Sequence, residues 1–147
     1  LLMFIGASPG STGGGIKTTT FFALMQQVRA VFTKKKPGGF HRTLPGEAID
    51  KAGVIALLSV VVVCVGTFLL CVLEPELDFV LLLFEEVSAF GTVGLSTGIT
   101  PDLSVASKLV LIFTMYIGRL GAFTLFSLWI DRPDPSIRYT EEMITIG

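Results

Sequence analysis

The sequence predicts an all-α membrane protein in which two membrane-length helices enclose a short re-entrant helix and an irregular loop, preceded by a broken transmembrane half-helix. Three observations carry this expectation. Hydrophobic residues make up 51% of the chain and charged residues 16%, and the mean hydropathy is +0.75, outside the usual soluble range. The long apolar runs come in two lengths, of which only the longer can cross a bilayer. Two stretches rich in Gly, Thr and Ser, residues 6–15 and 90–98, adjoin those runs. At membrane depth such backbone persists only when packed in protein or lining a wet cavity.

The elements follow in order. Residues 1–5, Leu-Leu-Met-Phe-Ile, are apolar but too few to span, and no basic segment precedes them as a signal peptide requires. The chain is therefore expected to begin inside a helix, as the C-terminal portion of a longer polypeptide. Residues 6–15 interrupt that helix with glycines, and residues 16–32 resume it as a half-helix carrying Phe21, Phe22, Leu24, Met25, Val28 and Phe32. A broken transmembrane helix has this form. Residues 33–51 make a basic loop, irregular at Pro37, Gly38, Gly39, Pro45 and Gly46. Residues 52–73 form the surest transmembrane helix, an unbroken Val- and Leu-rich run of about 33 Å. Residues 77–90 are apolar but only about two-thirds of spanning length, which suits a re-entrant helix that enters and leaves on one side. Residues 104–130 can span but carry Lys108, Gly118, Arg119 and Gly121, and residues 131–147 form a polar tail.

Charge sets the orientation. Residues 29–51 hold Arg29, Lys34, Lys35, Lys36, Arg42 and Lys51, whereas residues 74–102 contain no Lys or Arg. The positive-inside rule places the basic loop and the tail, with Arg132 and Arg138, in the cytoplasm. Glu74, Glu76 and Asp78 then face outward. The net charge of −1 gives nucleic-acid binding no electrostatic support, and the run of residues 34–36 reads as a solvated topology determinant. Cys64 and Cys71 lie within the apolar run, where they read as small apolar side chains rather than a disulfide or zinc site. His41 stands alone in a loop, and no nucleophile and base pair is present, so no enzyme site is expected.

The loop after the short helix carries the chemistry. Thr92, Val93 and Gly94 have the grammar of a potassium selectivity filter, in which backbone carbonyls replace the water shell of the ion and glycine permits conformations barred to other residues. The preceding helix would aim the negative end of its dipole at the cation path. Residues 52–130 thus make a membrane-pore-membrane unit. The segment from Gly10 to Thr18 nearly matches a nucleotide phosphate loop, but Ile16 separates Gly15 from Lys17 and rotates the lysine by about 100°. No strand precedes it, so nucleotide hydrolysis is not expected, and directly flanking apolar segments make a flexible linker a poor account.

Taken together, Gly6-Ala-Ser-Pro-Gly-Ser-Thr-Gly-Gly-Gly-Ile-Lys-Thr-Thr-Thr20, Phe84-Glu-Glu-Val-Ser-Ala-Phe-Gly-Thr-Val-Gly-Leu-Ser-Thr-Gly98 and Tyr116-Ile-Gly-Arg-Leu-Gly121 resemble the C-terminal part of the Trk/Ktr/HKT superfamily of potassium-uptake pore subunits, of the TrkH/KtrB type. The match runs in order along nearly the whole chain. It implies four membrane-pore-membrane repeats around one pore, with residues 1–32 ending the third repeat and residues 52–130 forming the fourth. It implies a filter at Thr92, Val93, Gly94, Leu95 and Ser96, with potassium held by backbone at Thr92, Val93 and Gly94. Leu95 and Ser96 replace the Tyr-Gly of potassium channels, which puts discrimination against sodium in question. It also implies a gate made of Gly6, Ser8, Gly10, Ser11, Thr12, Gly13, Gly14, Gly15, Lys17 and Arg119, an intramembrane loop that plugs the path below the filter.

An arginine at Arg119 already demands a paired or pore-facing environment on a spanning helix. By the resemblance it is a barrier and latch for the loop; an ion pair with Glu85 or Glu86 is the competing structural account. Lys17 either joins that barrier or positions the loop, and Lys108 snorkels at the outer interface. Glu85 matches an acidic position of the family, whereas Glu86 departs from its pattern. The implied partners are the earlier repeats of the same polypeptide, a second pore subunit, membrane lipid and a cytosolic nucleotide-binding regulatory ring that meets the basic loop and tail. The implied setting is the plasma (inner) membrane, crossed several times. No cofactor is implied beyond potassium as substrate and sodium as a possible coupling ion. Two other readings compete: a homotetrameric two-helix channel, disfavoured by the Gly-rich half-helix, and a non-conducting membrane scaffold.

Overall fold

A computed structural model describes residues 2–33, 38–39 and 42–121. The described chain is helical, with α1 (Thr18–Thr33), α2 (Gly46–Leu73), α3 (Phe79–Gly91) and α4 (Val105–Leu120). Where an irregular loop was expected, β1 (Gly38–Gly39) pairs antiparallel with β2 (Arg42–Thr43) in a two-residue hairpin. The expected cytoplasmic residues 34–36, His41 and the tail 131–147 lie outside the described residues, as does the last third, residues 122–130, of the predicted helix 104–130.

Helix α2 is apolar on all faces, the composition of a buried or membrane-spanning helix. Among the described helices it alone is long and apolar enough to cross a membrane, at about 42 Å for its 28 residues. It starts six residues before the expected position because Pro45, at φ −64° and ψ 142°, sits at its N-cap, and proline presets the chain there without losing a helical donor. It ends at Leu73 because Pro75 drives Glu74 out of helical geometry, to φ −127° and ψ 67°. Its hydroxyls bond the preceding turn of their own helix, Ser59 to the Ile55 carbonyl at 2.7 Å and Thr67 to the Val63 carbonyl at 2.8 Å. No backbone partner is lost and no polar group is stranded.

Helices α2, α3 and α4 pack on one another, and α1 packs on α2. Their shared core is Leu70, Leu82, Ala89, Leu103 and Leu111. Many large apolar side chains, among them Phe68, Val72, Ile112 and Phe113, point outward, a surface that water would not tolerate at this density. Glu74 ties the start of α4 to the end of α2: its carboxylate accepts from the Ser104 N–H and the Ser107 hydroxyl, both at 2.7 Å. Ser104 in turn caps α4 by accepting from the Ser107 N–H at 3.2 Å.

The N-terminal segment is a loop without helix whose two ends run parallel. Ile5 and Ile16 form a parallel bridge, with the Gly6 N–H donating to the Ile16 carbonyl at 2.7 Å and the Ile16 N–H to the Phe4 carbonyl at 3.1 Å. Residues 6–15 arch between these two bridged residues. Helix α1 therefore begins at Thr18, two residues after the expected position.

Candidate functional site

Helix α3 ends where the filter motif begins. Its 13 residues reach about 20 Å, short of the roughly 30 Å hydrocarbon core. Thr92 stops it in the left-handed conformation, φ 50° and ψ 40°, the position at which glycine usually terminates a helix. A β-branched residue there carries strain of about 1–3 kcal/mol. The turn is held by the Thr92 N–H to the Ala89 carbonyl and the Val93 N–H to the Ser88 carbonyl, each at 3.0 Å. Gly94 and Gly98 follow at φ 80° and 96°, where any side chain is disfavoured.

The loop after Thr92 is braced from one side. Ser88 on α3 donates its hydroxyl to the Leu95 carbonyl at 2.5 Å. Glu85, one turn earlier, gathers the far end of the loop. Its Oε1 accepts from the Ser96 hydroxyl at 2.6 Å, the Thr97 N–H at 2.8 Å and the Thr97 hydroxyl at 3.1 Å, and its Oε2 from the Thr100 hydroxyl at 3.0 Å. The carbonyls of Thr92, Val93 and Gly94 accept no hydrogen bond from the described residues, while the Leu95 carbonyl is taken by Ser88. Between this loop, α3 and α4 lies a cavity of about 280 Å³ lined by residues that include Glu85, Ser88, Thr92, Leu95 and Met115.

The Gly-rich arch meets the filter motif at its first residue. The Gly14 N–H donates to the Thr92 hydroxyl at 2.8 Å, although the two residues are far apart in sequence. Around this contact the chains approach so closely that side chains are barred. A methyl on Gly14 would crowd the Phe90 carbonyl, one on Gly91 the Met3 carbonyl, and one on Gly118 of α4 the Phe90 carbonyl. The Phe4 ring stacks on Phe90 with centroids 5.5 Å apart. Gly14 and Ile16 are buried, whereas Ser8, Gly10, Ser11 and Thr12 at the tip of the arch are exposed. Lys17 reaches back to that tip, donating to the Gly13 carbonyl at 2.6 Å and the Ser11 carbonyl at 3.2 Å.

Gly6, Ser8, Gly10, Ser11, Thr12, Gly13, Gly14, Gly15 and Lys17 therefore form one unit that contacts Thr92. Arg119 does not join it by a hydrogen bond among the described residues. Its side chain is exposed on the last turn of α4, and its neighbour Gly118 makes the close approach to α3. Nor does either glutamate pair with it: Glu85 is committed to residues 96–100, and Glu86 turns toward α2 and α4. Lys108 donates to the Pro101 carbonyl at 2.9 Å.

The sequence singled out Glu85, Glu86 and Thr92 but did not reveal what each of them holds. Glu85 acts through hydroxyls 11 to 15 positions downstream, visible only as an acidic residue followed by Ser96, Thr97 and Thr100. Glu86 is fully enclosed: its Oε1 accepts from the Thr114 hydroxyl at 2.8 Å, and its Oε2 has no partner among the described residues. Its carboxyl occupies the notch left by Gly66 in α2, where a methyl would collide with it. A glycine in the middle of the Val- and Leu-rich stretch of α2 was the available signal. Thr92 in the left-handed region was the third, and nothing in its residue type announces it.

Among known protein families, the model described as TrkH, cation transport protein, matches residues 1–137. Over 148 residues the chain is 39% identical to the Ktr system potassium uptake protein B of Bacillus subtilis, covering 100% of this chain and 33% of that protein. It is 41% identical over 153 residues to the potassium/sodium uptake protein NtpJ of Enterococcus hirae, covering 99% and 34%. With the Ktr system potassium uptake protein B of Vibrio alginolyticus the identity is 39% over 149 residues, covering 100% and 32%. The chain spans about a third of the length of these curated relatives.

Proposed function

The chain belongs to the TrkH family of cation transport proteins, and from that premise we propose that it supplies one quarter of a membrane pore through which potassium enters the cell. Thr92, Val93, Gly94, Leu95 and Ser96 form one of four filter strands, and dehydrated potassium is held by the carbonyls of Thr92, Val93 and Gly94. The observation that carries this reading is the one-sided bracing of the loop. Glu85 and Ser88 bind its far end, while the three carbonyls that a cation needs are left without a hydrogen bond from the described residues. Carbonyls so placed can exchange for the water shell of an ion.

Helix α3 is the re-entrant helix of the fourth membrane-pore-membrane repeat, and α2 and α4 are its flanking spans. Residues 6–15 are the intramembrane gate, docked at the inner end of the filter through Gly14 and Thr92, with Arg119 adding positive charge at the path below. The function is transport, with no catalytic step. Sodium enters as a competing or coupling ion, in keeping with the potassium/sodium relative. The partners are the earlier repeats of the same polypeptide, a second pore subunit, membrane lipid and a cytosolic nucleotide-binding ring that docks on residues 33–51 and the tail. The basic loop and tail are cytoplasmic.

Rubidium uptake by the full-length polypeptide, in cells deprived of other potassium uptake, tests the reading. Gly94→Leu forces a side chain onto a backbone at φ 80° and is expected to abolish uptake while the protein still reaches the membrane. No uptake by the folded, unsubstituted polypeptide would sink the transport function.

A further inference from the structure

One peptide unit links the arch to the filter. Its N–H belongs to Gly14 and donates to the Thr92 hydroxyl at 2.8 Å, and its C=O belongs to Gly13 and accepts from the Lys17 ammonium at 2.6 Å. A trans peptide points these groups in opposite directions, so the N–H faces the start of the filter and the carbonyl faces away from it, toward the lysine. In this setting a partial positive charge confronts an arriving cation. The carbonyl that would attract the cation is occupied by a tethered cation of the protein's own.

We propose that the Gly13–Gly14 peptide is a reversible cation ligand. Held as it stands by Lys17, it closes the inner end of the filter; turned over, it presents the Gly13 carbonyl to a dehydrated monovalent cation beside Thr92. This rests on the reading of residues 92–96 as a filter and adds a ligand below it. Reversal turns ψ of Gly13 and φ of Gly14, the two torsions that glycine leaves freest. Both positions exclude a side chain: a methyl on Gly13 would lie 2.9 Å from the Ala7 Cβ, and one on Gly14 would lie 2.8 Å from the Phe90 carbonyl. The arch is pinned at both of its ends by the Gly6 and Ile16 backbone bonds, which the reversal does not break. The peptide can therefore turn without the loop leaving its place. Both hydrogen bonds of Lys17 go to backbone carbonyls of the arch, Ser11 and Gly13, which makes it the positioning residue that selects the closed setting.

The test uses the full-length polypeptide and rubidium chloride. Uptake rates are measured against rubidium concentration in cells, and thermal melting of the purified protein is measured in rubidium chloride against choline chloride at equal ionic strength. Lys17→Met frees the carbonyl and is expected to lower the half-saturating rubidium concentration about fivefold in both measurements, equivalent to ~1 kcal/mol. Lys17→Gln shifts it in the same direction by less, and Lys17→Arg, which still donates to the carbonyls, stays near the unsubstituted protein. A lysine that merely braces the arch would change melting temperature without changing the rubidium dependence. An unchanged or raised half-saturation in a folded Lys17→Met protein overturns the proposal, and if that variant fails to fold, Lys17→Gln decides it in the same way. Failure of the unsubstituted protein to take up rubidium would fall on the transport reading, while the melting titration still reports on the ligand.

Discussion

At the scale of single residues, the buried Glu85 holds the most hydrogen bonds of any side chain among the described residues. Its two carboxylate oxygens accept four hydrogen bonds from Ser96, Thr97 and Thr100, and bonds to an ionised group are worth about 1.5–3 kcal/mol each. A glutamine of the same shape has one acceptor oxygen and cannot receive all four. Glu85→Gln is therefore expected to loosen the loop and cut the preference for rubidium over sodium about fivefold, read as sodium inhibition of rubidium uptake; an unaltered preference would remove Glu85 from the filter's support. Motif matching singled out Thr92, Val93 and Gly94 because the triplet follows a short apolar segment and precedes a long one. It could not see what Glu85 holds, since a carboxylate reveals its partners only when the chain has folded back on itself.

At the scale of elements, α2, α3 and α4 are joined at two points that pull in different ways. Deep in the bundle, Glu86 fills the notch of Gly66 and accepts from Thr114. Gly66→Ala drives a methyl into that carboxyl, and overpacking of this kind costs about 1–3 kcal/mol. Gly53, in the same helix, has open space where a side chain would stand, so Gly53→Ala should leave the melting temperature of the full-length polypeptide unchanged or slightly higher, whereas Gly66→Ala should lower it. At the helix ends, Glu74 holds the start of α4. The backbone bond from Ser104 and then the side-chain bonds from Ser107 and Ser104 keep its carboxyl below the usual value, which is about 4.3 for a free glutamate. A depressed folded-state value means that the contribution is complete above about pH 4.3 and is lost as the pH falls through the lower, folded value. Melting temperatures taken from pH 6 down to pH 3 should show an acid-dependent decline that is smaller in Glu74→Gln, and equal declines in both would dismiss the tie.

At the scale of the whole molecule, a single unit leaves the proposed filter strand open to one side. Val93 and Leu95 are 42% and 55% exposed, which suits apolar side chains that pack against neighbouring strands. The chain alone is expected not to conduct. Reconstituted into liposomes, residues 1–147 should give no rubidium flux above empty vesicles, whereas the full-length polypeptide should; flux from the isolated chain would favour a self-assembled two-helix channel over a pore of four linked repeats.

Composition, run length and the order of the small-residue stretches determined the class of protein, the four helices and the two loops that matter, because hydrophobic length and backbone freedom are properties of residue type and local spacing. Helix starts and stops were legible less well. Pro45 and Pro75 set the ends of α2 in plain view, but the bridge of Ile5 with Ile16, which delays α1, pairs residues across the whole arch. Only the tertiary structure decided that Lys17 binds the arch, that Gly14 meets Thr92, and that Glu85 and Glu86 serve different neighbours. Each of these depends on which direction a polar group faces after distant segments have packed, and that direction is fixed by the glycine-lined close approach of Gly14, Gly66, Gly91 and Gly118, contacts between segments that no local pattern encodes.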